Sequence, residues 1–325
     1  MKHWGRIGLL LMLVAALVGG CSCGKRKEVK YVIGFSQVTV SEPWRVWFND
    51  LLRKEAAKHP EVELIIQDAD DQTDKQNAQM DAFIAQGVDA ILISPKEAPG
   101  LTDVVKRATE KGIPVIVLDR DVDWDGYACF IGGDNTEIGR AAGRKAVELL
   151  GGEGHAEGIV YEICGGLAST PAQERRDGFH EIVEREPGIQ ILGGQDGDWK
   201  LERGKAIMQD ALQAHAKIDL VYAHNDPMAY GAYQAAKAAG RAGEGDGQIR
   251  YFLGIDAIPD EGGLWVLKGE LTATFVYEPP GAEGLRQALK ILKTGKPDEK
   301  RIYLPTQEVN RENAKEYIER MGSGE

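Results

Sequence analysis

The residues able to do chemistry in this chain gather where apolar runs end. Residues 113–121 read Ile-Pro-Val-Ile-Val-Leu-Asp-Arg-Asp, an apolar stretch stopped by three consecutive charges, Asp119, Arg120 and Asp121. A second run over 251–255 stops at Asp256, and a third over 219–223 leads to His224, Asn225 and Asp226. Carboxylates accept hydrogen bonds, guanidinium groups donate them from a rigid fork, and an amide does both, so the set suits a ligand rich in hydroxyls. The competing reading of Asp119 and Arg120, a helix cap or a salt bridge between loops, loses weight because Asn225 and Asp256 recur at equivalent strand ends. Strand alternation turns Asp121 away from Arg120, as a solvated or structural carboxylate, and His224 away from Asn225, as a packed or solvated histidine. Two carboxylates such as Asp119 and Asp256 also suggest glycoside chemistry. Each, however, has a guanidinium or amide neighbour expected to hold it ionised, which leaves no general acid. No Gly-x-Ser-x-Gly elbow, metal-ligand cluster or Cys–His nucleophile pair is evident in the sequence. An enzyme is therefore not expected, and no cofactor or metal is called for. Asp68, Asp70 and Gln72 begin like a calcium loop, but Thr73 stands where Gly is needed and Gln79 where Glu is needed. They read as an acidic loop before a helix capped by Thr73.

Elements must carry these groups to one place. Val, Ile and Leu strands without polar alternation belong in parallel sheets covered on both faces, and open α/β sheets bind ligands beyond the carboxyl ends of such strands. Strands are expected over 31–35, 62–67, 90–94, 113–118 and 128–131, with helices over 44–59, 73–87 and through Leu101, Val104, Val105 and Ala108 between them. After 132–135 the alternation restarts. Helices over 136–150, 171–186, 201–215, 227–240, 260–268 and 281–292 alternate with strands over 158–163, 189–192, 219–223, 251–255, 273–277 and 302–304, and a surface helix over 311–321 comes last. Such alternation implies right-handed crossovers. At 325 residues it exceeds a comfortable single domain, so the fold class is α/β with two similar lobes.

Composition narrows the partner. With 43% hydrophobic and 28% charged residues the chain is an ordinary globular protein. Its formal net charge of -12 disfavours nucleic acid and gives no long-range attraction to an anion, so a neutral small molecule fits better. Lys2, His3 and Arg6, an apolar run over 7–18 and then Gly19-Gly20-Cys21 form a secretory signal too short to span a membrane. Leu17-Val18-Gly19-Gly20-Cys21 resembles a bacterial lipobox, which implies lipidation of Cys21 and a membrane anchor; the alternative is a plain signal peptide cut near Gly20. Residues 25–30 would then be a polar tether. Cys129 and Cys164 lie in or at the end of apolar strands and read as buried free thiols.

Six motifs in order carry a family resemblance: Gly34-Phe35-Ser36-Gln37, Leu118-Asp119-Arg120, Gly133-Asp134-Asn135-Thr136, Glu174-Arg175-Arg176-Asp177-Gly178-Phe179, Tyr222-Ala223-His224-Asn225-Asp226 and Gly254-Ile255-Asp256. Over about residues 30–305 the chain resembles the periplasmic sugar-binding proteins of ABC transporters, of the ribose-binding type. It is most similar to galactofuranose-binding proteins, which share Gly-Phe-Ser-Gln-Val and the pair Trp44-Arg45. The resemblance implies a type I periplasmic binding fold: two lobes that close on a ligand, joined by crossings near 132–135, 277–280 and 300–304. Residues 1–20 are then the signal peptide and 21–30 the lipidated tether. The N-terminal lobe takes 30–133 with about 280–299, and the C-terminal lobe 134–278 with about 302–325. The family pattern matches Asp119, Arg120, Arg175, Asn225 and Asp256 to polar ligand contacts and Trp44 and Trp199 to flat walls against sugar C–H faces, with a hydrophobic helix-start cap as the other reading of either Trp. Arg45 is a further contact, and Gln37 and Ser94 are expected at strand ends facing the same cleft. Glu42 stands where ribose binders carry Asn, and Tyr277 and Glu278 straddle a place where they carry Gln, which points to another pentose, hexose or furanose. The implied role is a monomer that delivers a neutral sugar to an ABC permease. The alternative is a periplasmic sensing module for a receptor kinase or chemoreceptor. A transcription repressor of related fold is disfavoured by the secretory signal and the lack of an N-terminal helix-turn-helix.

Overall fold

A computed structural model describes residues 29–322. The expected signal peptide, the expected lipidation site at Cys21 and the expected tether up to residue 28 lie outside the described residues. The first series runs β1 (Tyr31–Gln37), α1 (Pro43–Ala56), β2 (Val62–Asp68), α2 (Thr73–Gln86), β3 (Ala90–Ile93), α3 (Ala98–Glu110), β4 (Val115–Leu118) and β5 (Cys129–Gly133). The second runs α4 (Asn135–Leu149), β6 (Glu157–Cys164), α5 (Thr170–Val183), β7 (Gly188–Asp196), α6 (Leu201–Ala214), β8 (Leu220–Ala223), α7 (Asp226–Ala238), β9 (Tyr251–Leu253), α8 (Leu264–Lys268) and β10 (Ala273–Phe275). α9 (Gly281–Thr294), β11 (Arg301–Leu304), β12 (Glu308–Asn310) and α10 (Ala314–Gly322) follow.

Two six-stranded sheets result, ordered β11-β5-β4-β3-β1-β2 and β12-β10-β9-β8-β6-β7. Position for position the orders correspond, so β3 and β4 of one lobe match β8 and β9 of the other, and their carboxyl ends carry the charged residues. The absence of alternation has its expected cause. In β4, Ile116 and Leu118 join one core cluster while Val115 and Val117 join the core on the other side of the sheet. A strand covered on both faces has no polar side to show.

Some expectations need correction. The strand expected at 302–304 is β11, which pairs with β5 of the N-terminal sheet. The third crossing therefore lies at 305–307 rather than 300–304, and residues 301–304 belong with the N-terminal lobe. The next strand, β12, was missed; it pairs antiparallel with β10, so the second sheet is only predominantly parallel. The helix expected over 260–268 is a π-turn at Pro259–Gly263 followed by the five-residue α8. Thr73 does not cap α2. The N-cap residue is Gln72, without a side-chain bond, and the Thr73 hydroxyl donates to Glu97 Oε1 at 2.8 Å.

Helices α4 and α5 meet at glycines. A Cβ on Gly139 would lie 2.3 Å from the Arg175 carbonyl oxygen, and one on Gly178 would lie 2.1 Å from that of Thr136. Only the missing side chains let the backbones approach this closely, and Arg175 rides on that contact. Cys129 and Cys164 are free and buried, as expected.

Candidate ligand-binding site

A cavity of ≈ 410 Å³ opens between the lobes at the strand carboxyl ends. Glu42, Trp44, Arg45, Asp119 and Arg120 line it from the N-terminal lobe; Arg175, Trp199, Asn225 and Asp256 line it from the C-terminal lobe, with Tyr277 after β10. Among the described residues, three of the seven non-glycine residues in the left-handed region line this cavity, Asp119 (φ 67°), Trp199 (φ 64°) and Asp256 (φ 126°), and two more, Asp198 (φ 50°) and Ala257 (φ 55°), are their chain neighbours. Strained backbone concentrates where geometry serves a site.

On the N-terminal side Asp119 is the hub. Its Oδ2 accepts from Arg45 Nη2 at 3.0 Å and Ser94 Oγ at 3.1 Å, and its Oδ1 from the Tyr277 hydroxyl at 2.8 Å. Burial opposes ionisation of Asp119, but Arg45 and Arg120, helped by the Tyr277 hydroxyl, hold its carboxyl below the ordinary range. Arg45 Nη1 donates to Gln37 Oε1 at 2.9 Å and to Ser94 Oγ at 3.0 Å. Gln37 and Ser94 are themselves fully buried and do not border the cavity. The expectation that they face the cleft is thus corrected: they aim Arg45, and through it Asp119. Arg120 is differently placed. Its Nη1 donates to the Lys96 carbonyl at 2.9 Å, its Nε lies 3.8 Å from Asp119 Oδ2, and its guanidinium stands 5.6 Å from the Trp199 ring centre.

On the C-terminal side Arg175 Nε donates to Asn135 Oδ1 at 2.9 Å and Nη1 to the His224 carbonyl at 2.6 Å. Its guanidinium lies 5.5 Å from the Trp199 ring and 4.5 Å from the Tyr277 ring. Trp199 thus stands between an arginine from each lobe. Asn225 Oδ1 caps α7 by accepting from Met228 N at 3.1 Å, while its Nδ2 donates to the Trp199 carbonyl at 2.9 Å. Asp256 departs from expectation. Burial, reinforced by Asp226 and Asp119 and only partly countered by Arg175, pushes its carboxyl well above the ordinary range, so it is not held ionised. Burial is the main cause, and the neighbouring Asp226 carboxyl is likewise buried and pushed up to about 8.

Other candidates fall into place. Trp44 borders the cavity, but its ring stacks on Tyr277 at 5.2 Å and its Nε1 donates to the Tyr277 carbonyl at 2.9 Å, so it supports that tyrosine as much as it walls the cleft. Glu42 borders the cavity with Oε2 3.3 Å from Arg45 Nε. Of the pair Tyr277 and Glu278, only Tyr277 borders it. Asp121 is structural: it pairs with Arg301, its Oδ2 accepts from the Tyr127 hydroxyl, and its backbone N–H donates to Thr170 Oγ1 across the lobes. His224 is buried and bonded to Glu162 Oε1 at 3.1 Å. Sequence reasoning missed Lys200, Glu202, Glu261 and Trp265, which also line the cavity. The four-residue spacing of Glu261 and Trp265 was the available signal, hidden inside what read as one helix.

A family model described as a periplasmic binding protein domain matches residues 33–297. The galactofuranose-binding protein of Escherichia coli (strain K12) is 32% identical over 322 residues, 95% of this chain and 97% of that protein. The ribose import binding protein of Salmonella typhimurium is 32% identical over 286 residues, 87% and 92% of the two chains. Among solved structures, the fructose-binding periplasmic domain of a hybrid two-component system is similar at a TM-score of 0.83 and 38% identity, covering 90% of this chain and 95% of that one. A galactofuranose-binding protein is similar at a TM-score of 0.83 and 31% identity, covering 90% and 99%. With its paired sheets, its interlobe cavity and these matches, the chain belongs to the periplasmic binding protein family.

Proposed function

We propose that the chain is an extracytoplasmic solute-binding protein that captures a neutral sugar between its lobes and delivers it to an ABC permease of the inner membrane. The observation that carries this reading is the convergence of Asp119, Arg120, Arg175 and Asn225 around Trp199 in one cavity fed by both lobes. Guanidinium forks and an amide match vicinal hydroxyls, and an indole face matches the C–H face of a sugar ring. Both Asp119 oxygens are already bonded by Arg45, Ser94 and Tyr277, which suits a fixed hydrogen-bond acceptor in a binding site better than a free nucleophile or base. Relatives named for galactofuranose and ribose support a furanose, pentose or hexose. Lipidation of Cys21 would keep the protein at the membrane as a monomer beside its permease.

Calorimetry against a panel of monosaccharides and polyols tests the sugar claim; no heat of binding from any of them overturns it. A sensing role is the second reading, favoured by the 38% identity to a domain of a two-component system. Neighbouring genes for a permease and an ATPase support delivery, whereas a neighbouring histidine-kinase gene supports sensing.

A further inference from the structure

We propose that Glu261 is an additional recognition residue of the cavity, bonding one hydroxyl of the bound sugar through Oε2, with the Trp265 ring as the wall beside it. This rests on the sugar-binding reading above.

The geometry carries it. Glu261 and Trp265 both line the cavity, along with Asn225, Pro227 and Asp256. Glu261 Oε2 is buried and has no hydrogen-bond partner among the described residues, unlike the Asp119 oxygens. Buried polar atoms without partners are rare, and because Glu261 itself lines the cavity, a small rotation of its carboxyl would bring the unpaired oxygen to a bound hydroxyl. Burial, with Asp260 adding, pushes the Glu261 carboxyl up to about 7, so near neutrality it can both donate and accept.

The support beneath it is rigid. Glu261 sits in the π-turn Pro259–Gly263, a geometry frequent at functional sites. Asp226 Oδ2 accepts from the Ala257 N–H at 2.7 Å, and the Tyr317 hydroxyl donates to the Ala257 carbonyl at 2.8 Å. The turn packs so closely on Asp226 that a Cβ on Gly262 would lie 1.8 Å from Asp226 Oδ2. Trp265 is fixed by stacking on Tyr230, with ring centres 4.1 Å apart and planes within 7°. An indole face held this firmly, beside a carboxyl carried on a fixed turn, is preorganised to choose among epimers.

The test is calorimetry on the full-length protein with the sugar it binds best and the monodeoxy derivatives of that sugar, using wild type, Glu261→Gln, Glu261→Ala and Trp265→Ala. Expected are affinity losses of about tenfold to a hundredfold for Glu261→Ala and Trp265→Ala. One deoxy sugar should bind wild type as weakly as the parent sugar binds Glu261→Ala, with no further loss when the two changes are combined. Glu261→Gln keeps the shape and shows that the fold is intact, by an unchanged melting temperature. If wild type binds a sugar while Glu261→Ala keeps its affinity and its ranking of deoxy derivatives, this inference falls and the sugar reading stands. If wild type binds no sugar, both fall.

Discussion

Replacing Arg120 with Ala is expected to weaken sugar binding roughly a hundredfold and to leave the fold nearly as stable as before. The two effects separate because of what each part of the side chain touches. Among the described residues the Arg120 side chain makes one hydrogen bond, from Nη1 to the Lys96 carbonyl, and its Nε stands 3.8 Å from an Asp119 carboxylate that keeps Arg45, Ser94 and Tyr277. The loss in stability is therefore about 1 kcal/mol. In the complex the remaining donors would bond one or two hydroxyls, at about 1.5–3 kcal/mol for each charge-assisted bond. A combined loss of ~3 kcal/mol is about a hundredfold in Kd. Arg45→Ala is the internal contrast. Arg45 is 2% exposed and its carboxylate partner is buried, so its removal strands Asp119 and should cost about 3–5 kcal/mol of stability. Calorimetric titration gives Kd, and denaturant unfolding gives stability for both variants. An Arg120→Ala protein that binds within twofold of wild type, or that unfolds as readily as Arg45→Ala, refutes the division between the two arginines.

Gly139→Ala forces a Cβ to within 2.3 Å of the Arg175 carbonyl oxygen, so α4 and α5 must separate. The expected cost is about 1–3 kcal/mol in denaturant unfolding together with weaker sugar binding; undiminished stability would contradict the close helix contact. Glu162, bonded by His180 and His224, has its carboxyl held down to about 2 against an ordinary value of 4.5. Its contribution is complete above about pH 4.5 and is lost as pH falls toward 2, so the difference in melting temperature between wild type and Glu162→Gln should shrink between pH 5 and pH 3. A difference that stays constant over that range would count against it. Burial pushes the Cys129 and Cys164 thiols up to about 12, so alkylation of the native protein followed by mass spectrometry should leave both unmodified, and unfolding should expose both.

The strand ends were legible because a strand covered on both faces writes itself as an unbroken apolar run, and the first polar residue after it falls at the sheet's edge. Asp119, Arg120, Asn225 and Asp256 were found in that way, and Trp199 and Arg175 through motif order. The direction each side chain takes was not written there. Gln37 and Ser94 also end strands, yet they serve Arg45, because a buried guanidinium claims whichever acceptors lie nearest. The protonation of Asp256 comes mainly from its burial, which is set by the packing of the fold around it and not by its neighbours along the chain. β12 is three residues long, and only its pairing with β10 makes it a strand. Glu261 stayed hidden because a π-turn running into a helix keeps a helix-like pattern.

Tyr277 follows β10 at a crossing between the lobes, and it grips Asp119 with its hydroxyl, stacks on Trp44 and lies over Arg175. A residue so placed belongs to the joint and to the site together. Under lobe closure, a change that loosens its hold on Asp119 alters the fraction of molecules competent to bind, and apparent affinity scales with that fraction whatever the ligand. Tyr277 is therefore a gain control: substitutions there should rescale the response to every sugar by a common factor, while those at Arg120 or Asn225 should reorder the sugars.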